Sequence, residues 1–258
     1  VMILIKAILL YLISILLSYE CEAKPPDIVW RVDARDHHDV FNHGFVAAGD
    51  NHNIADHLSG ESCRTSRKME ESAFIATTAN RSFAYDYAER VLKNLAKHGS
   101  QNAKIYIYQI RAAENMYSAE DTLIFLLQGN NSFKNRSGFR MIYRFPYLSE
   151  WMAHRRIGAE QVAVGMAYHI DGGVMRSDAY LSNPGFVQTR SHANNRPYPV
   201  VFSGKSTMQI PRTWMLRLGV NPMINACFGR LDFTYSKTGI HEQHLGHQGF
   251  LLANILLI

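Results

Sequence analysis

The sequence predicts an α+β domain, on three observations. Several short segments are dense in β-branched and aromatic residues: DIVWRVDA (27–34), AFIATTA (73–79), AKIYIYQIRA (103–112) and QVAVGMAYHI (161–170). One longer stretch, Phe83 to His98, repeats its apolar residues at helical spacing. The two kinds of element do not alternate as βαβ units, which argues against a parallel, doubly wound sheet.

At the N-terminus Lys6 precedes an apolar run from Ala7 to Leu17, and Cys21-Glu22-Ala23 follows as a cleavage site. This is signal-peptide anatomy over 1–23. The run is shorter than the ~20 residues a spanning helix needs, so export is expected and no stable membrane span. Cleavage would remove Lys6, Glu20 and Glu22, moving the net charge from 27 − 22 = +5 to 26 − 20 = +6. It would also remove Cys21 and leave Cys63 and Cys227. Two cysteines in an exported chain predict one disulfide, worth about 5 kcal/mol in the chain-entropy picture.

In DIVWRVDA, Ile28, Trp30 and Val32 share one face and Val29, Arg31 and Asp33 the other, so a strand carries Arg31 opposite the Trp. DVFNHGF (39–45) reads as a helical turn stopped at Gly44, and IADHLSGESC (54–63) as a short helix ended by Gly60. AFIATTA is a strand. In the next helix Phe83, Tyr87, Val91 and Leu95 stand at i, i+4 spacing, and Gly99 sits where a C-cap belongs. AKIYIYQIRA is a buried type of strand. EWMAHRRI (150–157) is expected to begin a second helix or turn, and QVAVGMAYHI is a strand running into a hairpin turn at Asp171-Gly172-Gly173. From Ser182 to Thr207 the Asn, Ser, Pro and Gly content reads as loop. The expected division is 24–205 for the catalytic domain and 206–258 for a C-terminal segment ending in GFLLANILLI. Those ten residues are too few to cross a bilayer and would be a sticky end unless covered.

Lys and Arg are scattered, with RRI at 155–157 the densest group. Nucleic acid is therefore not an expected partner.

Three stretches in order carry a resemblance: VWRVDARDHHDVFNHGFVAAGDNHNIADHLSGESC, AFIATTA and SEWMAHRRIGAE. Together they resemble the pertussis toxin-like ADP-ribosyltransferase A subunits. The likeness runs from about Pro25 to Cys63, through the Phe83–Arg90 helix, and returns at 149–160; it thins between Gly99 and Pro146 and fades after His169, apart from ACF around Cys227. It implies the ADP-ribosyltransferase fold, two packed, mostly antiparallel sheets with flanking helices around an NAD cleft, plus a C-terminal extension. It also implies NAD as substrate, with transfer of ADP-ribose to a host inhibitory-class G-protein α subunit.

The resemblance makes Glu150 the catalytic carboxylate at the ribose 2′-hydroxyl. A carboxylate there gains most when positive charge develops on the sugar, so it lowers the barrier. Arg31 becomes the arginine that holds NAD, and a guanidinium fork suits phosphate and ribose oxygens better than a point charge. Ala76, Thr77 and Thr78 fall on a Ser-Thr-Ser motif that shapes the nicotinamide site, with the first hydroxyl missing. His57 matches a histidine that assists the attacking nucleophile. Phe83 and Tyr87 match an aromatic pair at the nicotinamide. Read from the residues alone, these are surface charge, β-propensity and helix core.

Two positions depart from the pattern. Ala48 replaces a cleft Trp, and Leu148 stands where relatives carry Gln or Glu, which counts against an arginine acceptor. Asp36-His37-His38-Asp39 and His241, His244 and His247 raise the question of metal. Consecutive histidines rarely converge on one ion, so no metal is expected. Dinucleotide glycine patterns are not persuasive here.

The expectation is thus a secreted toxin subunit, exported through the periplasm and active in the host cytosol after reduction of Cys63–Cys227. The C-terminal tail would dock in a pentamer of binding subunits. The alternatives are an NAD glycohydrolase with no protein acceptor and a non-catalytic secreted binding module.

Overall fold

The computed structural model describes residues 24–59, 72–97, 99–129 and 149–199. The expected signal peptide, both disulfide cysteines, Gly60, Leu148 and the whole expected C-terminal segment 206–258, with its His cluster and tail, lie outside these residues. Among the described residues no helix is long and apolar enough to cross a membrane.

Among the described residues nine strands and four α-helices follow one another. In chain order they are β1 Ile28–Asp33, α1 His37–His43, β2 Phe45–Val46, α2 Ile54–Ser59, β3 Phe74–Thr78, α3 Arg81–Lys97, β4 Ile105–Arg111 and β5 Met116–Ser118. Then come α4 Ala119–Gly129, β6 Glu150–His154, β7 Arg156–Ile157, β8 Val162–Asp171 and β9 Val174–Ser182. Seven strands form one sheet in the order β5-β6-β3-β1-β4-β8-β9, and β2 pairs with β7 in a second, small one. The strand pairings in both sheets are antiparallel.

Period-two alternation gives the large sheet two buried faces. On one, Val32, Ala76, Ile107, Met152 and Met166 pack against α2, α3 and α4 through Leu58, Leu92 and Leu123. On the other, Val29, Ile75, Tyr106, Tyr108 and Ala153 meet Val40 of α1 and Phe45 and Ile157 of the small sheet. The expected α+β fold with antiparallel sheets is present, the second sheet contributing only two short strands.

Helix α3 begins two residues earlier than its periodicity indicates. Asn80 accepts the Phe83 N–H through its side chain at 3.1 Å, an N-cap bond that lets Arg81 and Ser82 join the helix. Past its end Gly99 takes a φ of 92°, and Ser100 N–H bonds the Leu95 carbonyl at 3.0 Å. Gly44 stops α1 as expected, at φ 69°. Gly172 and Gly173 take φ of 56° and 80° in the two-residue β8–β9 turn, the pair of positive values such a hairpin needs.

One expectation is overturned. EWMAHRRI is not a helix or turn but strand β6 leading into β7. Its residues favour helix when read alone. Pairing with β3 on one side and β5 on the other decides the matter, with Trp151 opposite both Thr77 and Ser118.

Candidate active site

The site forms where β1 and β3 part. These strands pair at one register position, Trp30 opposite Thr78. On the next strand, Thr78 stands opposite Glu150, so Trp30, Thr78 and Glu150 form one row across three strands. Beyond that row the β1–β3 ladder stops. There Arg31 donates from Nη1 to the Ala76 carbonyl at 2.8 Å.

Arg31 is 5% exposed. Its Nε and Nη2 reach Asp33 Oδ2 at 3.1 and 3.0 Å. Arg35 meets the same carboxylate, from Nη2 to Oδ2 at 2.9 Å and from Nε to Oδ1 at 3.0 Å. Burial alone would raise the Asp33 carboxyl, but the two guanidiniums outweigh it and hold the group below its ordinary value. Both guanidiniums lie over the Phe45 ring, at 5.3 Å for Arg31 and 4.8 Å for Arg35.

Glu150 is buried at 5% exposure. The residue before it, Ser149, has a φ of 47°, left-handed backbone that a non-glycine residue seldom adopts. Its carbonyl accepts from Ala79 N–H at 2.9 Å, which fixes the start of β6 against the end of β3. His57, on α2, is 1% exposed. Its Nε2 lies 3.4 Å from Glu150 Oε1. Its Nδ1 lies 2.7 Å from Ser72 Oγ. A buried imidazole beside a buried carboxylate, two strands from a buried Arg–Asp pair, can stabilise a cation that forms at the carboxylate.

The other expected residues divide. Thr77 and Thr78 are fully buried. Thr77 Oγ1 donates to the Trp151 carbonyl at 2.6 Å, while Thr78 Oγ1 accepts from Asn80 N–H at 2.9 Å where α3 begins. Both hydroxyls therefore have a structural task. Phe83 and Tyr87 are buried in the helix-side core, with ring centroids 6.1 Å apart and 14° between planes. Burial raises the Tyr87 phenol above its ordinary value. Ala48 is exposed. Asp36, His37 and His38 bring their ligand atoms within 4.8 Å of one another, and both Asp36 oxygens already accept bonds, from His38 N–H and the Tyr106 hydroxyl.

Sequence reasoning gave no role to Asp33, Arg35 or Ser72. The alternation R-V-D-A-R over 31–35 held the signal for the first two, since alternate strand positions face the same way. Ser72 had none, because its link to His57 spans fifteen residues and exists only in three dimensions.

An antiparallel sheet parted beside a buried arginine, with a buried glutamate on the strand beyond, is the architecture of the ADP-ribosyltransferase toxins. The solved structure of EcPltA matches it with a TM-score of 0.58 at 25% identity, over 69% of this chain and 97% of that one. Full-length CARDS toxin shares the fold, with a TM-score of 0.53 at 23% identity over 68% of this chain and 32% of that one. The family model for pertussis toxin, subunit 1, matches residues 24–230. Pertussis toxin subunit 1 of Bordetella pertussis is 33% identical over 216 residues, covering 80% of this chain and 75% of that protein. The ADP-ribosylating toxin CARDS of Mycoplasma pneumoniae is 27% identical over 67% of this chain and 32% of its own length. The chain belongs to the pertussis toxin subunit 1 family.

Proposed function

We propose that this chain is the catalytic subunit of an exported toxin and transfers ADP-ribose from NAD to a host protein. The observation that carries the reading is the buried His57–Glu150 pair at 3.4 Å, beside the parted strands that Arg31 spans. Membership of a toxin family and the likeness to a protein named as ADP-ribosylating support it.

In this reading Arg31, set by Asp33, presents positive charge to the oxygens of the dinucleotide. Glu150 faces the ribose. As the bond from C1′ to nicotinamide breaks, nicotinamide leaves with the electron pair and positive charge spreads over the sugar. The carboxylate binds that charge more strongly than it binds the neutral ring, so it lowers the barrier. An acceptor side chain then bonds C1′ and gives up its proton, with His57 at hand to assist. Thr77 and Thr78 hold the strand that bears Ala76, and Phe83 and Tyr87 back it from α3.

The acceptor proposed is an inhibitory-class G-protein α subunit, with a pentamer of binding subunits receiving the tail 249–258. Residues 1–23 would be removed on export, 24–205 form the catalytic domain and 206–258 the docking segment. A Cys63–Cys227 bond would hold that segment near the cleft until the host cytosol reduces it. Oxidised protein that is as active as reduced protein would refute this latch.

Labelled NAD, incubated with the reduced chain, with and without G protein, tests the function. Transfer leaves label on the G protein; label appearing only as free ADP-ribose would make the chain an NAD glycohydrolase instead.

A further inference from the structure

We infer that Ser72 is a positioning residue for the His57–Glu150 pair: its hydroxyl holds Nδ1 of His57 in either protonation state and so keeps Nε2 on the Glu150 side. The chemical use of this arrangement rests on the reading above; the arrangement itself does not.

Ser72 Oγ cannot move far. The residue is 3% exposed. It forms a bridge with Asn51 just ahead of β3. Its carbonyl accepts from Gly49 N–H at 3.1 Å, and Ala73 N–H bonds the Asn51 carbonyl at 2.9 Å. Asn51 and Asn53 lead into α2, where the Asn53 carbonyl accepts from His57 N–H at 3.0 Å. Both members of the Ser72–His57 contact are thus anchored by the same loop.

A hydroxyl has one proton to give and lone pairs to receive. Ser72 Oγ accepts from Phe74 N–H at 3.1 Å. Its own proton has two possible destinations, His57 Nδ1 at 2.7 Å or the Phe74 carbonyl at 3.3 Å. The 2.7 Å contact to Nδ1 holds whichever partner donates, because the hydroxyl can give its proton to the Phe74 carbonyl and accept from Nδ1–H instead. With its proton on Nε2, a neutral His57 presents it to Glu150 Oε1 at 3.4 Å, an ion-pair distance. An N–H then faces a carboxylate. The other tautomer would set a lone pair against that carboxylate in a place with little water to relieve it.

The same hydroxyl serves the charged ring. When His57 takes a second proton at Nδ1, Ser72 turns its O–H to the Phe74 carbonyl and accepts from Nδ1–H. Neither state leaves Nδ1 without a hydrogen bond. The Phe74 ring, 5.4 Å from the imidazole centroid, limits rotation of the ring plane. His57 therefore keeps one orientation through a change of protonation, with Nε2 on the Glu150 side.

Nitrogen-15 NMR of the full-length chain tests this, with His57 assigned from the spectrum of H57Q. At a pH where the ring is neutral, protonated Nε2 and bare Nδ1 are expected. S72A should move the Nδ1 resonance away from its hydrogen-bonded position. It should also lower kcat for nicotinamide release by about 10–100-fold, the usual size for a partner that orients a catalytic group, with KM little changed. S72T keeps the hydroxyl and should keep the wild-type Nδ1 resonance. A wild-type Nδ1 with no hydrogen-bond shift, or an S72A spectrum like the wild type, would overturn the assignment. Should S72A fail to fold, the wild-type and S72T spectra still decide it. A chain that releases no nicotinamide yet shows the hydrogen-bonded Nδ1 resonance would overturn the enzymatic reading and uphold the role of Ser72.

Discussion

Arg31 reaches past the last paired position of β1 and β3 and donates to the carbonyl of Ala76 at 2.8 Å. One side chain thereby ties the two central strands where their backbones have separated. The same guanidinium holds Asp33 from two of its nitrogens. The residue proposed to grip the substrate also sets the geometry of these strands.

Replacing that fork by an ammonium separates charge from shape. R31K keeps the positive charge but cannot serve Ala76 and Asp33 together in the same geometry. Nicotinamide release should fall by about 100-fold, since small misplacement of a positioning group costs that much. The melting temperature should fall as well. Unchanged kinetics would mean that Arg31 only braces the sheet.

Glu150 gives the sharper chemical test. E150Q preserves size and a hydrogen-bonding oxygen for His57 and removes the charge. Steady-state nicotinamide release should drop by about 10²–10³-fold, the magnitude seen when one electrostatic partner of a transition state is lost. Circular dichroism should match the wild type. Full activity in E150Q would show that the Glu150 charge is not the electrostatic partner of the reaction.

The Asp33 cluster predicts a pH dependence of stability. Its carboxyl is held below the ordinary value in the fold. The unfolded chain binds that proton more readily, so the group stabilises fully above its unfolded value near 3.9 and progressively less as pH falls toward the folded one. D33N should destabilise by about 3–5 kcal/mol at pH 7, the cost of leaving a buried partner charge uncompensated. Thermal melts should show the gap from wild type narrowing below about pH 4. A gap independent of pH would show that the carboxylate is not the source of the stability.

Gly44 is the backbone position least open to change. It has a φ of 69°, and an added Cβ would lie 2.2 Å from the Ile157 carbonyl oxygen and 2.7 Å from Ala159 N. G44A should therefore cost about 2–5 kcal/mol, from left-handed backbone strain and overpacking together. Chemical denaturation measures it. A neutral result would mean that α1 and β7 can move apart.

Much of this fold was legible because period two and period 3.6 leave marks in sequence. The alternation in DIVWRVDA put Arg31 and Asp33 on one face, and the structure keeps them there, joined at 3.0 Å. The Phe83–Leu95 spacing found the face of α3 that enters the core. Glu150 was recognised by its motif while its surroundings were misread. Five residues that favour helix become a central strand because β3 and β5 lie on either side. The bond between His57 and Ser72 carries no local pattern, since it depends on how the loop from Gly49 to Asn53 is pinned. Sequence periodicity records which way side chains face. It does not record which distant side chain they meet.

The single Trp30–Thr78 register position between β1 and β3 has a mechanical consequence. A seven-stranded sheet joined so sparingly at its middle has its softest seam there, and that seam runs beside the proposed reaction centre. Arg31 is the side chain that bridges the two halves beyond that register position, and in the proposed reading a dinucleotide would lie along that line. A rigid, flat molecule wedged into that line would act as an inhibitor by prying the halves apart, without imitating any portion of the substrate.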